Sequence, residues 1–503
     1  MRYLLGIDNG GTRIKAAVFD QSGREVAVAA EDTPLLIPQP GYQERDMQAL
    51  WEANARCIRE AIRKTGVDAD AIAAVGCAGH GKGLYLWGKD DRPVGRGIAS
   101  TDSRAAAVVA RWEADGTVKA ARERTLQPVS ACQPVALLAW MKEQEPARFA
   151  NIRWIFSCKD YIRFRLTGRA LAERTDCSGT CLMNLLTREY DRELLRLFGL
   201  EELFDCLAPL CRSDEPCGTV TEAAAALTGL KAGTPVCGGM FDIDACAVAM
   251  DVTTPDRLCT IAGTWSINEY PAPAPVRADT STRNSLFCLP DTYLIEESSA
   301  TSAGNLDWYL ATFMKWEKEE AKRESRRFYD EVDRLVDDLP PEDSDVLFLP
   351  FLYGTNVDGC DRAAFVGMTN ACTQAHMLRA VFEGVVFSHL YHIEKLLAFR
   401  EPPATVRLAG GAANSAVWTQ MFADALGLPI EVVGDKELGA KGAAMAAAVA
   451  AGLYADYRAA ADAMVGVQRT VYPRMDKHKT YMKKFAAYKH LLKALGGTPC
   501  SNN

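Results

Sequence analysis

The chain has 503 residues, 48% hydrophobic and 24% charged, with 57 basic against 65 acidic side chains and a formal net charge of −8. That length exceeds one ordinary core, so two domains are expected. The interleaved, slightly acidic charge argues against a nucleic-acid partner, and no stretch is apolar enough for a bilayer, so a cytoplasmic protein with no membrane partner is expected.

The chain opens on Leu4 to Asp20, which reads as strand, glycine turn, strand with the carboxylate of Asp8 at the bend. Gly10 and Gly11 are expected to reach positive φ and bring bare N–H groups against a polyanion, Thr12 adds a hydroxyl donor, and Asp8 can face a hydrated cation. The pattern predicts a nucleotide with Mg²⁺, while an ordinary hairpin with a left-handed glycine is the alternative reading. From Asp46 to Lys64, apolar residues recur along one face of a helix with Asp46 as N-cap. A strand, Ala71 to Gly76, then ends in a loop carrying His80, Gly81 and Lys82. Strands and helices alternate afterwards, which is the signature of an α/β architecture.

Near mid-chain, Thr234 to Gly239 reads as a strand running into Asp242 and Asp244, followed by a small-residue helix from Ala245 to Met250. Arg257 to Glu269 repeats the opening pattern, with Gly263 and Thr264 at its turn and Trp265 just beyond. Two α/β halves that each open on a phosphate-type hairpin describe a duplicated domain, residues 1–250 and 251–503, clamping a nucleotide between them, with a hinge near Met250 to Pro255. Pro271 to Arg283 is expected to be a surface loop, and Lys315 to Arg327 a solvated helix face. Farther on, Arg407 to Asn414 gives a strand followed by Gly410 and Gly411, a turn open to a flat adenosine, or else a tightly packed helix start. Glu437 to Gly442 reads as another glycine turn before a helix, the Ala-rich run from Ala443 to Ala451 as a close-packed internal helix, and Lys477 to Lys493 as a docked terminal helix. The sixteen cysteines form no Cys-x-x-Cys pair, and Cys177 and Cys181 have no histidine near in sequence, so reduced core thiols are expected.

Ala363 to Met368 followed, seven residues on, by His376 to Glu383 fits the C-terminal signature of the FGGY carbohydrate kinases. The upstream signature is met at Pro134, Leu138 and Trp140 but has Leu137 where the pattern has lysine. The chain therefore resembles that family, of the actin, hexokinase and Hsp70 type of ATPase fold, from Leu4 to about Gly452. The resemblance implies two duplicated actin/hexokinase-type (ribonuclease H-like) α/β domains with a cleft between them, the first for sugar, phosphate and the catalytic base and the second for ATP. It implies a first phosphate motif at Asp8, Gly10, Gly11, Thr12 and Lys15, with Asp8 as the Mg²⁺ group, a second at Gly263 and Thr264, and an adenosine motif at Gly410, Gly411 and Asn414. Asp242 falls where the family's catalytic base sits, with Asp244 its local competitor. A carboxylate at a strand end can take the proton of a sugar hydroxyl as that oxygen attacks the γ-phosphorus.

For the acceptor, His80, Gly81, Lys82 and the run to Leu86, with Met240 and Phe241 before the base, look most like the L-xylulose kinases of the family. Asp102 and Arg104 resemble an Asp-x-Arg element beside the sugar, and Trp265 is expected near it. The resemblance implies phosphorylation of a ketopentose at its terminal hydroxyl, with L-xylulose first and D-xylulose, L-ribulose, 3-keto-L-gulonate or erythritol as alternatives. For a sugar acid, Lys82 or Arg104 is available as the cationic clamp. From a different class, a nucleotide-gated binding protein or chaperone-like ATPase of the same fold remains open. A homodimer is common in the family.

Overall fold

The computed structural model describes residues 2–278, 281–354, 357 and 362–495. The opening hairpin forms as the alternation predicts: Tyr3–Asn9 pairs antiparallel with Arg13–Asp20, which pairs with Glu25–Asp32. On its other side Tyr3–Asn9 runs parallel to Ile72–Gly79. This strand is longer than the sequence indicates, because Cys77 and Ala78 are buried in the sheet and the loop begins only at His80. Pro235–Cys237 and Pro216–Thr219 complete the sheet, and Met240–Phe241 also pairs with Ile72–Gly79.

The second sheet repeats the plan. Arg257–Ala262 pairs antiparallel with Ser266–Ala272 and runs parallel to Thr405–Gly410, with Tyr293–Ser299 and Ile430–Val433 flanking. In both halves three antiparallel strands adjoin two parallel ones in the same order, so the duplication seen in the turns extends to the topology. Pro271 and Ala272 lie in a strand, so the loop before Arg283 begins two residues later than expected.

Helices cover the sheet faces where the sequence alternates polar and apolar. Met47–Thr65 packs on Arg13–Asp20 and Glu25–Asp32, with the Asp46 carboxylate accepting the Ala49 N–H at 2.8 Å and Gly66 closing it in the left-handed region. The terminal helix Met475–Leu495 docks through buried Tyr481, Phe485, Tyr488 and Leu492. Lys315–Arg323 is solvated, with only Ala321 buried. The family signature spans the short strand Ala364–Val366 and the long buried helix Gln374–Leu397.

The two halves are joined most tightly by the Ala-rich helix Leu438–Ala450, which lies on strands Tyr3–Asn9 and Ile72–Gly79 and against helix Asp242–Ala249. Its backbone touches the sheet directly. A Cβ at Gly6 would fall 1.8 Å from the Ala440 carbonyl oxygen, and one at Gly76 would fall 2.0 Å from that of Ala443. Gly439 and Gly442, expected in a turn, are inside this helix: a Cβ at Gly442 would fall 2.1 Å from the Ala245 carbonyl oxygen, while Gly439 faces the Asp8 carboxylate. Among the described residues the cysteines are free thiols, no group of His, Cys, Asp and Glu is arranged to hold a metal, and no helix is long and apolar enough to cross a membrane.

Candidate active site

A cavity of about 490 Å³ opens between the halves, walled by the His80 loop and Asp242 on one side and by the Thr264–Trp265 turn and Glu296 on the other. Its position follows from the chain: the loops that line it leave the ends of parallel strands in the two related sheets.

Asp242 is the first residue of the helix Asp242–Ala249 and sits half-buried in the cavity wall. Burial, with the carboxylates of Asp8 and Asp176 nearby, holds its carboxyl well above the usual range, and Glu296 pushes in the same direction. It is therefore a stronger proton acceptor than a solvated aspartate. Asp244 lies two residues on, with both carboxylate oxygens fully buried among Glu173, Glu269 and Asp176 and absent from the wall. Of the two, only Asp242 faces the cavity.

His80, Gly81 and Lys82 all line it. His80 Nε2 lies 3.1 Å from the Tyr85 hydroxyl, and burial together with Arg45 pushes its imidazole down to about 3, so it is neutral. Lys82 adopts a left-handed backbone (φ 62°), makes no hydrogen bond or ion pair with a described residue, and is held below the ordinary lysine range by burial and the Arg283 guanidinium. Asp102 and Arg104, expected beside the sugar, are instead spent on one another: Arg104 Nη2 donates to Asp102 at 2.8 Å and to Glu44 at 2.9 Å, and its guanidinium stacks 4.0 Å over Tyr42. Asp102 also accepts the Gln43 N–H at 2.7 Å, so this cluster braces a wall whose exposed members are Gln43 and Thr101. Trp265 is 44% exposed at the cavity mouth.

On the phosphate side, Gly11 and Thr12 reach the cavity from the first hairpin and Thr264 from the second. Neither Gly10 nor Gly11 adopts positive φ, contrary to expectation. The Arg45 guanidinium donates to the carbonyls of both glycines. Asp8 is close to Gly439 at the start of helix Leu438–Ala450. Burial pushes its carboxyl up to about 6, and its Oδ1 is buried without a partner. Lys15, beside it in register, pairs with Glu437 at 2.6 Å and so is not free for a phosphate. Gly410 (φ 88°) pairs with Ala262, which brings the second hairpin against the turn of Gly410, Gly411 and Asn414; these three are exposed next to Gly263 and Thr264.

Sequence reasoning missed Arg45, Gln43, Tyr85 and Glu296. Arg45, Gln43 and Glu296 approach the site through tertiary packing and belong to no local motif, whereas Tyr85 lies within the His80–Leu86 run and its hydroxyl is what ties His80.

Two related α/β lobes around a cleft lined by the Asp242 carboxylate and by the turns of Gly11–Thr12 and Thr264 define a two-domain phosphotransferase of the actin/hexokinase type. A ligand-bound xylulose kinase from Lactobacillus acidophilus has this fold, with a TM-score of 0.89 at 22% identity and coverage of 99% of each chain. The description "FGGY family of carbohydrate kinases, N-terminal domain" matches residues 3–249 and its C-terminal counterpart matches residues 258–451, so the chain belongs to the FGGY carbohydrate kinases. It is 38% identical over 497 residues, 99% of this chain and 98% of the relative, to the L-xylulose/3-keto-L-gulonate kinase of Escherichia coli strain K12. It is 35% identical to the probable L-xylulose kinase of Haemophilus influenzae, across 98% of this chain and 99% of that one. The chain is a sugar phosphotransferase, and ATP is the phosphate donor of its family.

Proposed function

We propose that this kinase transfers the γ-phosphoryl group of ATP to the terminal hydroxyl of L-xylulose, giving L-xylulose 5-phosphate and ADP, with Asp242 as general base. The observation that carries the reading is the placement of Asp242 at the cavity wall between the His80–Lys82 loop and the Thr264–Trp265 turn. Asp242 accepts the hydroxyl proton as that oxygen forms its bond to the γ-phosphorus and the bond to the β-phosphate oxygen breaks. The N–H groups of Gly11, Thr12 and Thr264, which line the cavity, are available to the developing charge, with Gly263 beside them in the second turn. Residues 1–250 supply base, sugar loop and first phosphate turn, and residues 251–503 supply the nucleotide turn at Gly410, Gly411 and Asn414. The orphaned Oδ1 of Asp8 fits a hydrated Mg²⁺, which would neutralise phosphate charge. His80, neutral and tied to Tyr85, offers a hydrogen bond to a sugar hydroxyl. A cytoplasmic enzyme acting on free sugar and ATP follows.

One observation favours a second reading. Lys82 is the one cation among the described cavity-lining residues and has no partner, while Arg104 is consumed, so a keto-sugar acid such as 3-keto-L-gulonate has a receptor for its carboxylate.

Coupled ADP release with Mg-ATP decides between them, screening L-xylulose, D-xylulose, L-ribulose, 3-keto-L-gulonate and erythritol against Asp242→Asn as the blank. L-xylulose should respond best and the response should fall about 10²–10⁴-fold in Asp242→Asn. Near-normal turnover in that variant removes the base assignment. A preference for 3-keto-L-gulonate that Lys82→Met abolishes selects the second reading.

A further inference from the structure

Asp242 owes its place to the four residues before it, and these are gripped from below by a buried ionic cluster that the proposed reaction does not use. Arg163 Nη1 donates to the Gly238 carbonyl at 2.5 Å, and the Phe241 N–H donates to the Thr175 hydroxyl at 3.0 Å. The base's segment is therefore pinned at both ends. The Thr175 hydroxyl in turn donates to Glu173 Oε2 at 2.7 Å, and Glu173 Oε1 accepts the Thr175 N–H at 2.9 Å, which leaves the hydroxyl one orientation. Lys159 lies 3.4 Å from Glu173, 2.9 Å from Asp160 and 3.6 Å from Asp176, and Arg163 lies 2.9 Å from Asp160. Thr175 is 2% exposed, Asp176 1%, and the other four side chains are fully buried.

Lys159 and Arg163 are the two cations of this cluster, and burial pushes the Asp176 carboxyl up to about 7, so the contact through which the cluster reaches the base's segment is the one from Thr175.

We infer that Thr175 is a positioning residue for the catalytic base: it aims the Asp242 carboxylate by clamping the Phe241 amide. The inference rests on Asp242 being the base. Glu173 orients the Thr175 hydroxyl, and Lys159 and Arg163 hold the cluster in place.

The test uses Thr175→Val, Thr175→Ser and Thr175→Ala in the full chain, with Asp242→Asn beside them. Thr175→Val keeps the shape and removes the acceptor for the Phe241 N–H. Its kcat should fall by about 10–100-fold, with KM for sugar and ATP within about threefold, because the fault is aim and not binding. Thr175→Ser should recover most of kcat. A folded Thr175→Val with parental kcat, or a Thr175→Ser as slow as Thr175→Val, overturns the aiming role. If Thr175→Val does not fold, Thr175→Ala decides by the same readout: a loss of kcat at unchanged KM upholds the aiming role, and parental kcat overturns it. Full activity in Asp242→Asn instead refutes the base assignment itself, which separates that failure from this one.

Discussion

Gly439→Ala tests whether the carboxylate of Asp8 takes part in phosphate chemistry. A Cβ on Gly439 would lie 2.6 Å from Asp8 Oδ2 and 2.7 Å from its Cγ, so the carboxylate must retreat by about 0.8 Å to reach ordinary contact. The backbone there is free of positive φ and helical, so alanine suits it and offsets the crowding by up to about 0.5–1 kcal/mol. Overall stability should therefore change little. Displacing a group that orients a hydrated cation by nearly 1 Å should instead lower kcat/KM for Mg-ATP on the order of 10²-fold, and the Mg²⁺ concentration for half-maximal rate should rise. Gly442→Ala is the contrasting control: its Cβ would meet the Ala245 carbonyl oxygen at 2.1 Å, where no flexible side-chain tip can yield. It should cost about 1–3 kcal/mol and lower Tm by wedging the two central helices apart. The assays are coupled ADP release against Mg²⁺ and thermal unfolding of both variants. A Gly439→Ala enzyme with parental kcat/KM and Mg²⁺ dependence would refute the role given to Asp8.

Glu269→Gln should stabilise the protein at alkaline pH. Both oxygens of Glu269 are buried without a partner, and burial, with Glu296 and Asp242, holds its carboxyl well above the ordinary value of 4.5. The native chain thus keeps a proton that the unfolded chain releases, so stability is complete below about pH 4.5 and declines as pH rises toward the folded value. Glutamine mimics the protonated form; in urea unfolding the variant's advantage should grow from pH 5 to pH 8 by up to about 1.4 kcal/mol per unit, and parallel curves would contradict this. Gly81→Ala should act on the sugar alone. Its Cβ would fall 2.5 Å from the Phe241 ring, which lines the cavity beside Asp242. Sugar KM should rise about tenfold with ATP KM nearly unchanged, and equal effects on both would show that the change spreads through the cleft.

Much of this protein was legible in its sequence because much of its chemistry is local. A strand, glycine turn, strand unit with Asp8 at the bend needs only residues that neighbour one another, and its recurrence at Gly263 and Thr264 announced the duplicated architecture. The FGGY signature spans one strand-to-helix connection, and Asp46 capped its helix as expected. The choice between Asp242 and Asp244 was made locally by register; in the fold, one helical start puts the first in the cavity wall and the second in the core.

What only tertiary structure decided depends on contacts between residues far apart in the chain. Arg45 donates to the carbonyls of Gly10 and Gly11 from more than thirty positions away, a contact the hairpin alone could not foretell. Arg104 is drawn off by Glu44 and Tyr42, and Lys15 by Glu437, since a guanidinium or ammonium pairs with whichever carboxylate the fold brings near. Gly439 and Gly442 look like turn residues in sequence, and only the packed helix shows that Gly442 lets two backbones touch and that Gly439 leaves room for the Asp8 carboxylate. Lys82 lines the cavity without an ion pair to any described residue, and burial and the Arg283 guanidinium hold it below the ordinary lysine range; both follow from which side chains the fold brings near.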